Sequence, residues 1–169
     1  MLRTASLVLA AVAAVGLTVS PGATQTGPRP APTFVPKLEP VAETRLLMEG
    51  LAHANFRGLE RLLRQKPAEP EAWTFARGQA LLIAETANLL MLRPPRNQGE
   101  KQWFERATDL RSHAAQLARD LGKRDYERSR DGLSAVANRC NRCHESFRIP
   151  VRITPFAPPA PAAKTGLRP

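Results

Sequence analysis

The sequence lacks the short motifs by which many nucleotide-binding and hydrolytic enzymes are identified. It contains no Gly-x-Gly-x-x-Gly and no phosphate-binding loop. It has no His-Glu-x-x-His either, because no second histidine follows His144-Glu145 at the required spacing. The alternating apolar and polar residues typical of β-strands are also missing. We therefore expect an all-α protein without enzymatic activity.

Cysteine and histidine are scarce, and one pentapeptide contains most of them. The chain has two cysteines and three histidines, and Cys140-Asn141-Arg142-Cys143-His144 includes both cysteines and one histidine. Cys-x-x-Cys-His is the attachment motif of a c-type haem. On a helix the two thiols share one face, from which they can bond to the two vinyl groups of one porphyrin. We predict one covalent haem c, held by Cys140 and Cys143, with His144 as an axial iron ligand.

The two cysteines allow three other interpretations, and each fits the sequence less well than haem attachment. A thioredoxin-like redox pair would follow a strand, whereas the residues around Cys140 have a helical pattern. A structural zinc site needs four ligands, and no second pair of ligands exists. A disulfide between Cys140 and Cys143 has poor geometry across one helical turn.

The ends of the chain differ in composition from its middle. Residues 1–22 resemble a secretory signal peptide, with Arg3 ahead of an apolar run that is short for a membrane span. An exported, periplasmic protein is expected, with either a cleaved signal or an uncleaved one that tethers the chain to the membrane. Residues 23–40 form a Pro-rich linker, and residues 150–169 form a Pro-rich tail that we expect to be disordered. The folded domain is predicted at 41–149.

Helical periodicity covers the whole of that domain. Prolines divide it, and Gly122 is the expected C′ residue of the third helix. The predicted helices are 41–65, 70–92, 100–121 and 125–148. The inward stripe predicted for the first comprises Leu47, Met48, Leu51, Asn55, Leu59 and Leu62. The stripe predicted for the second comprises Trp73, Ala76, Ala80, Ile83, Ala87 and Leu90. Four such stripes joined by short breaks predict an antiparallel up-down-up-down four-helix bundle.

A haem motif near the end of the last helix of such a bundle resembles the class II c-type cytochromes, the cytochrome c′ group. The resemblance covers about residues 41–149 and depends mainly on Cys140, Cys143 and His144. It implies that the first helix supplies the side chain facing the open side of the iron. Low-spin members have a methionine there, whereas gas-binding members leave an apolar, five-coordinate site. In this chain the resemblance implies Met48 as the second ligand.

The distances of His144 and Met48 from the ends of their helices agree with that assignment. At about 1.5 Å per residue, His144 lies roughly 7 Å from the end of its helix and Met48 roughly 10 Å from the start of its own. In an up-down-up-down bundle these two ends are neighbours. His53 and His113 lie at roughly 18 and 20 Å from the haem end, so both are expected to be ordinary core or surface residues.

Met91, near the end of the second helix, is the competing methionine, although Leu90 takes the core position beside it. Ligation by His144 and Met48 leaves no open position on the iron and predicts an electron carrier. The alternative is an iron with five ligands, which predicts a binder of small gases such as NO or CO.

Arginine contributes much of the formal net charge of +10. The simplest interpretation is a solvated basic face, and the functional alternative is docking to an acidic redox partner. An exported haem protein is not expected to bind nucleic acid, and membrane contact requires an uncleaved signal. The resemblance also implies homodimers formed through outer helix faces. The arginines concerned are Arg57, Arg61, Arg64, Arg139, Arg142 and Arg148.

Overall fold

The computed structural model describes residues 37–96 and 99–157. The predicted signal peptide, most of the Pro-rich linker and the end of the Pro-rich tail lie outside the described residues. The described chain forms four helices and contains no strand, which confirms the all-α prediction. Among these residues, no helix has both the length and the apolar character that a membrane crossing requires.

The four helices lie close to the predicted positions. The first has three consecutive segments, which are α-helical at Thr44–Leu47, π-helical at Met48–His53 and α-helical again at Ala54–Leu62. The other three are continuous α-helices at Pro70–Met91, Glu100–Gly122 and Tyr126–Ser146.

Local chemistry explains most of the helix ends. Pro70 begins the second helix, where its missing N–H costs no hydrogen bond. Gly99 precedes the third helix with φ of 82°, a left-handed conformation that glycine adopts without strain. The Asp125 side chain caps the fourth helix by accepting a hydrogen bond from the backbone N–H of Arg128 (3.1 Å). The third helix includes Gly122, and the left-handed residue that follows it is Arg124, so the predicted C′ role of Gly122 is wrong.

The predicted core stripe of the second helix agrees fully with the structure, since all six of its residues are buried. This helix has no interruption, so the 3.6-residue period runs unbroken from Trp73 to Leu90. The third and fourth helices add further buried apolar residues to the same core, including Leu117 and Leu133, which have no exposed surface.

The predicted stripe of the first helix is confirmed at Leu47 and Leu59, but it leaves out the buried Ala52, Phe56 and Leu63. In a regular α-helix, residues nine apart lie on roughly opposite faces, yet Leu47 and Phe56 are both buried. The π-helical turn between them takes up an extra residue and brings both into the core. The buried residues are Leu47, Ala52, Phe56, Leu59 and Leu63. Met48, Leu51, Asn55 and Leu62 are half-buried at the edge of that stripe.

Side-chain hydrogen bonds show which helix ends are neighbours. Arg93 Nε donates to the Ala42 carbonyl (3.2 Å), so the end of the second helix lies beside the start of the first. Trp103 Nε1 donates to the Leu90 carbonyl (2.7 Å), which joins the second helix to the third. Arg106 Nε donates to Ser146 Oγ (3.1 Å), which joins the start of the third helix to the end of the fourth.

The first and fourth helices meet at their other ends. Tyr126 Oη and Arg130 Nη1 donate to the carbonyl of Leu63, at 3.2 and 2.8 Å. Both donors lie in the first turns of the fourth helix, whereas Leu63 follows the last turn of the first. The first helix otherwise packs on the second.

Residues 149–157, here called the C-terminal strap, do not match the expectation of a loose tail. Ile153 and Phe156 pack against the core cluster. Asn141 on the fourth helix and Glu60 on the first make hydrogen bonds to the strap backbone. The expectation of disorder was based on the prolines of this segment, but its apolar residues pack against the core and its backbone is hydrogen-bonded to two helices.

Truncating a fully buried leucine should destabilise the bundle far more than truncating an exposed one. Leu117 has no exposed surface, so Leu117→Ala should lower the free energy of unfolding by roughly 2–5 kcal/mol. Leu81 is 42% exposed, and Leu81→Ala should change it by less than about 0.5 kcal/mol. Chemical denaturation measures both values, and equal effects of the two substitutions would contradict the described core.

Candidate functional site

The two cysteines lie on the last turns of the fourth helix, where they continue its buried stripe. Leu133 and Val136 are fully buried in this stripe, and Cys140 follows at 6% exposure. Cys143 is half-buried one turn later. Both are free thiols. The helical period therefore directs both sulfur atoms towards the same side of the helix, at the edge of the core.

Burial also determines the protonation of these thiols. Removal from water raises the pKa of Cys140 to about 12, and the neighbouring Cys143 adds to the effect. Burial raises the pKa of Cys143 as well, although the nearby Arg106 guanidinium opposes the increase. Thiols in such surroundings stay protonated at neutral pH and are poor nucleophiles. A redox-active thiolate, as in thioredoxin-like proteins, is not favoured by this environment.

His144 has a defined orientation because one of its ring nitrogens contacts the C-terminal strap. Nδ1 lies 2.8 Å from the carbonyl oxygen of Val151. A carbonyl oxygen can only accept a hydrogen bond, so Nδ1 must carry the proton. The neutral ring then has its lone pair on Nε2, which points away from Nδ1. This is the arrangement in which histidines bind metal ions in proteins, with the second nitrogen donating to a backbone carbonyl.

The surroundings of the motif are polar and open. A depression of about 200 Å³ beside His144 is lined by the motif and the strap. Among the described residues, no group of three or more His, Cys, Asp or Glu could hold a metal ion. The described residues therefore do not provide the four ligands of a structural zinc site. The two thiols and Nε2 of His144 could instead hold a cofactor that brings its own metal ion.

Met48 and Met91, the two candidate sixth ligands, have similar positions. Each is half-buried against the core cluster and follows a buried leucine, Leu47 or Leu90. Met48 is the first residue of the π-helical segment, which packs on the second helix. The predicted inward stripe contains both Leu47 and Met48: Leu47 is buried, and Met48 packs against the edge of the core. Turns of π-helix inside α-helices frequently occur at functional sites.

The neighbouring helix ends bring Met48, Met91 and His144 to the same end of the domain. The contacts of Arg93 with Ala42, of Trp103 with Leu90 and of Arg106 with Ser146 connect all four helices at this level. The rings of Trp103 and Phe147 also meet edge to face, with centroids 5.1 Å apart.

The other two histidines lie apart from the motif. His53 is exposed. His113 accepts a hydrogen bond from Arg139 Nε (3.1 Å), and its Nδ1 lies 2.8 Å from the carbonyl of Asp109. Arg139 therefore contacts the third helix through two residues. It is hydrogen-bonded to His113, and its Nη1 lies 3.6 Å from the Asp109 carboxylate.

Three groups connected with the site were not predicted from the sequence. They are the Val151 carbonyl, which contacts His144, and the side chains of Asn141 and Glu60, which bind the strap. Asn141 is a variable position of the motif, and a backbone carbonyl has no sequence signal at all. Glu60 did have one, since it follows the buried Phe56 by four residues and has arginines at i−3 and i+4.

Comparison with known proteins identifies no relative. No family model, curated protein or solved structure matches the chain.

The raised pKa of Cys140 predicts slow alkylation in the chain prepared without haem. With a pKa of about 12, only about one Cys140 thiol in ten thousand is ionised at pH 8. Reaction with iodoacetamide should therefore accelerate about tenfold for each unit of pH between 7 and 10. Cys143, which is less buried, should react faster at every pH.

Mass spectrometry of the alkylated peptides measures both rates. In denaturant the two thiols should react equally, which is the control. A rate for Cys140 that levels off below pH 9 would contradict the buried environment.

Proposed function

We propose that this protein is an exported c-type cytochrome of the class II group that carries electrons through one covalent haem c. Cys140 and Cys143 would bind the porphyrin, and His144 would be the axial ligand through Nε2. Met48 is proposed as the second axial ligand. The proposal makes the protein an electron carrier and not an enzyme.

The observation that carries this proposal is the hydrogen bond between His144 Nδ1 and the Val151 carbonyl. It fixes the tautomer that leaves Nε2 free to bind a metal. The two thiols needed for thioether bonds are free and lie on the same helix, four residues and one residue before His144. Thioether formation adds S–H across a vinyl group and so requires reduced cysteines, which both of these are.

The arrangement of the helices supports the proposed up-down-up-down topology. Neighbouring helices share contacts between the start of one and the end of the next, as Arg93 does with Ala42 and Arg106 with Ser146. Antiparallel helices make contacts of this kind. The same contacts support the proposed proximity of Met48 to the haem-binding motif.

The proposed ligands determine what the site can do. A bound haem supplies a reversible one-electron change at iron. Two protein ligands would leave no coordination position for gases, and the neutral, soft thioether of Met48 would stabilise the ferrous state. The depression beside His144, about 200 Å³, is lined by His144 and Asn141 but by neither cysteine, so a haem held by both thiols would extend beyond it.

The charge around the motif supports docking to an acidic redox partner. Arg142, Arg148 and Arg152 are exposed next to the proposed haem site. Of these, Arg152 lies 3.7 Å from the Glu145 carboxylate, a weak and exposed ion pair. Complementary charge of this kind accelerates the encounter of redox proteins. Export to the periplasm is proposed from residues 1–22, outside the described residues.

Covalent attachment can be tested on denaturing gels stained for haem peroxidase activity. In a host that exports the chain and attaches haem c, the stain should migrate with the chain. Cys140→Ala combined with Cys143→Ala should abolish the stained band, because no thioether can form. Arg148→Ala, outside the motif, should retain the band. A chain that carries no haem under these conditions would refute the proposed function.

The sixth ligand can be tested by substituting the two methionines separately. The unmutated ferric protein should be low-spin, and Met48→Ala should make it high-spin, lower its reduction potential and let carbon monoxide bind rapidly after reduction. Met91→Ala is the matched control and should change none of these properties. Absorption spectroscopy and redox titration measure them. An unmutated protein that is high-spin and binds carbon monoxide would instead favour the gas-binding function.

A further inference from the structure

The C-terminal strap makes specific interactions with two helices. Next to the motif, Asn141 Nδ2 donates to the Ile153 carbonyl (2.8 Å), and Asn141 Oδ1 accepts from the Ile153 N–H (2.7 Å). Both backbone polar groups of Ile153 are thus satisfied by a single side chain. An amide side chain can form such a reciprocal pair, as one strand does with its neighbour.

The far end of the strap is bound by a buried carboxylate. Glu60 on the first helix is 2% exposed, and its Oε1 accepts from the Phe156 N–H (2.9 Å). Arg57 and Arg64 pair with the same carboxylate, which compensates for its removal from water. The Arg130 guanidinium lies 4.0 Å from the centroid of the Phe156 ring, a cation–π contact.

The carbonyl that contacts His144 lies just before the first of these two anchors, between the end of the fourth helix and Ile153. Val151 is two residues before Ile153, so the reciprocal pair with Asn141 restricts the position of the Val151 carbonyl. That carbonyl accepts the Nδ1 hydrogen bond of His144. The orientation of the imidazole ring therefore depends on a segment that follows the helix and not only on the helix that bears it.

We propose that Asn141 is a positioning residue for His144, acting through the C-terminal strap, and that Glu60 and Arg130 complete this role by anchoring the far end of the strap at Phe156. This inference rests on the proposed function for its effect on haem. A hydrogen bond from Nδ1 to a carbonyl increases the basicity of Nε2 and fixes the ring plane. The strap would thus stabilise the ferric state and lower the reduction potential of the protein.

The test uses the full chain, exported and matured in a host competent for haem attachment. Two measurements are made on each variant: the solvent exchange of the His144 Nδ1 proton by NMR, and the reduction potential. Asn141→Ala should accelerate the exchange by about tenfold, as expected for a lost hydrogen bond, and should raise the potential. Phe156→Ala, which lies outside the motif, should change both in the same direction, because it removes the ring that contacts Arg130 and packs against the core and leaves only the backbone hydrogen bond to Glu60 at this anchor.

Two further variants distinguish the strap from other effects. Asn138→Ala makes the same substitution at an exposed position one turn earlier and should leave exchange and potential unchanged. Asn141→Asp retains an acceptor for the Ile153 N–H and should give an intermediate exchange rate. The inference is overturned if Asn141→Ala or Phe156→Ala leaves the exchange rate unchanged, or if Asn138→Ala accelerates it equally.

The two proposals fail in different ways. A chain that carries no haem would refute the proposed function and remove the potential measurement. The exchange of the His144 Nδ1 proton in the same sample would still decide whether the strap orients the ring.

Discussion

The buried stripe of the fourth helix is the constraint on which the candidate site depends. Ser129, Leu133 and Val136 have no exposed surface, and they fix the rotation of the helix about its axis. Once that rotation is set, the 3.6-residue period determines where later side chains point. Cys140 enters the core edge, Cys143 follows one turn later, and His144 lies beside them. The packing of a few apolar residues thus brings two thiols and one imidazole together without any dedicated loop.

The C-terminal strap supplies the hydrogen-bond partner of His144 Nδ1. The fourth helix sets the direction of the His144 side chain, whereas the carbonyl that Nδ1 contacts belongs to Val151, outside the helix. The Val151 carbonyl lies outside the regular structure and is free to accept. Its position depends on Asn141 next to the motif and on Glu60 and Arg130 at the other end of the bundle. This proline-rich segment is therefore held by the apolar packing of Ile153 and Phe156 together with polar and cation–π contacts.

How far the fold could be predicted varies from helix to helix. In the second helix, all six predicted core residues are buried, because nothing interrupts the 3.6-residue period between Pro70 and Met91. In the first helix the π-helical turn at Met48–His53 adds one residue, so Leu47 is buried as predicted, whereas Ala52 and Phe56 are buried in place of the predicted Leu51 and Asn55. The local sequence of this turn, with Gly50 and small side chains, does not distinguish a π turn from an α turn. Its energy depends on packing against the second helix, which is a tertiary property.

The sequence by itself determined the four helices, their breaks at proline, and the spacing of Cys140, Cys143 and His144. Each of these follows from local rules, namely the φ restriction of proline and the helical period. Only the tertiary structure decided that Ala52 and Phe56 enter the core, that the Val151 carbonyl accepts a hydrogen bond from His144 Nδ1, and that residues 149–157 pack on the bundle. These features involve groups far apart in the chain, such as Glu60 and Phe156, whose contact depends on how the whole bundle packs.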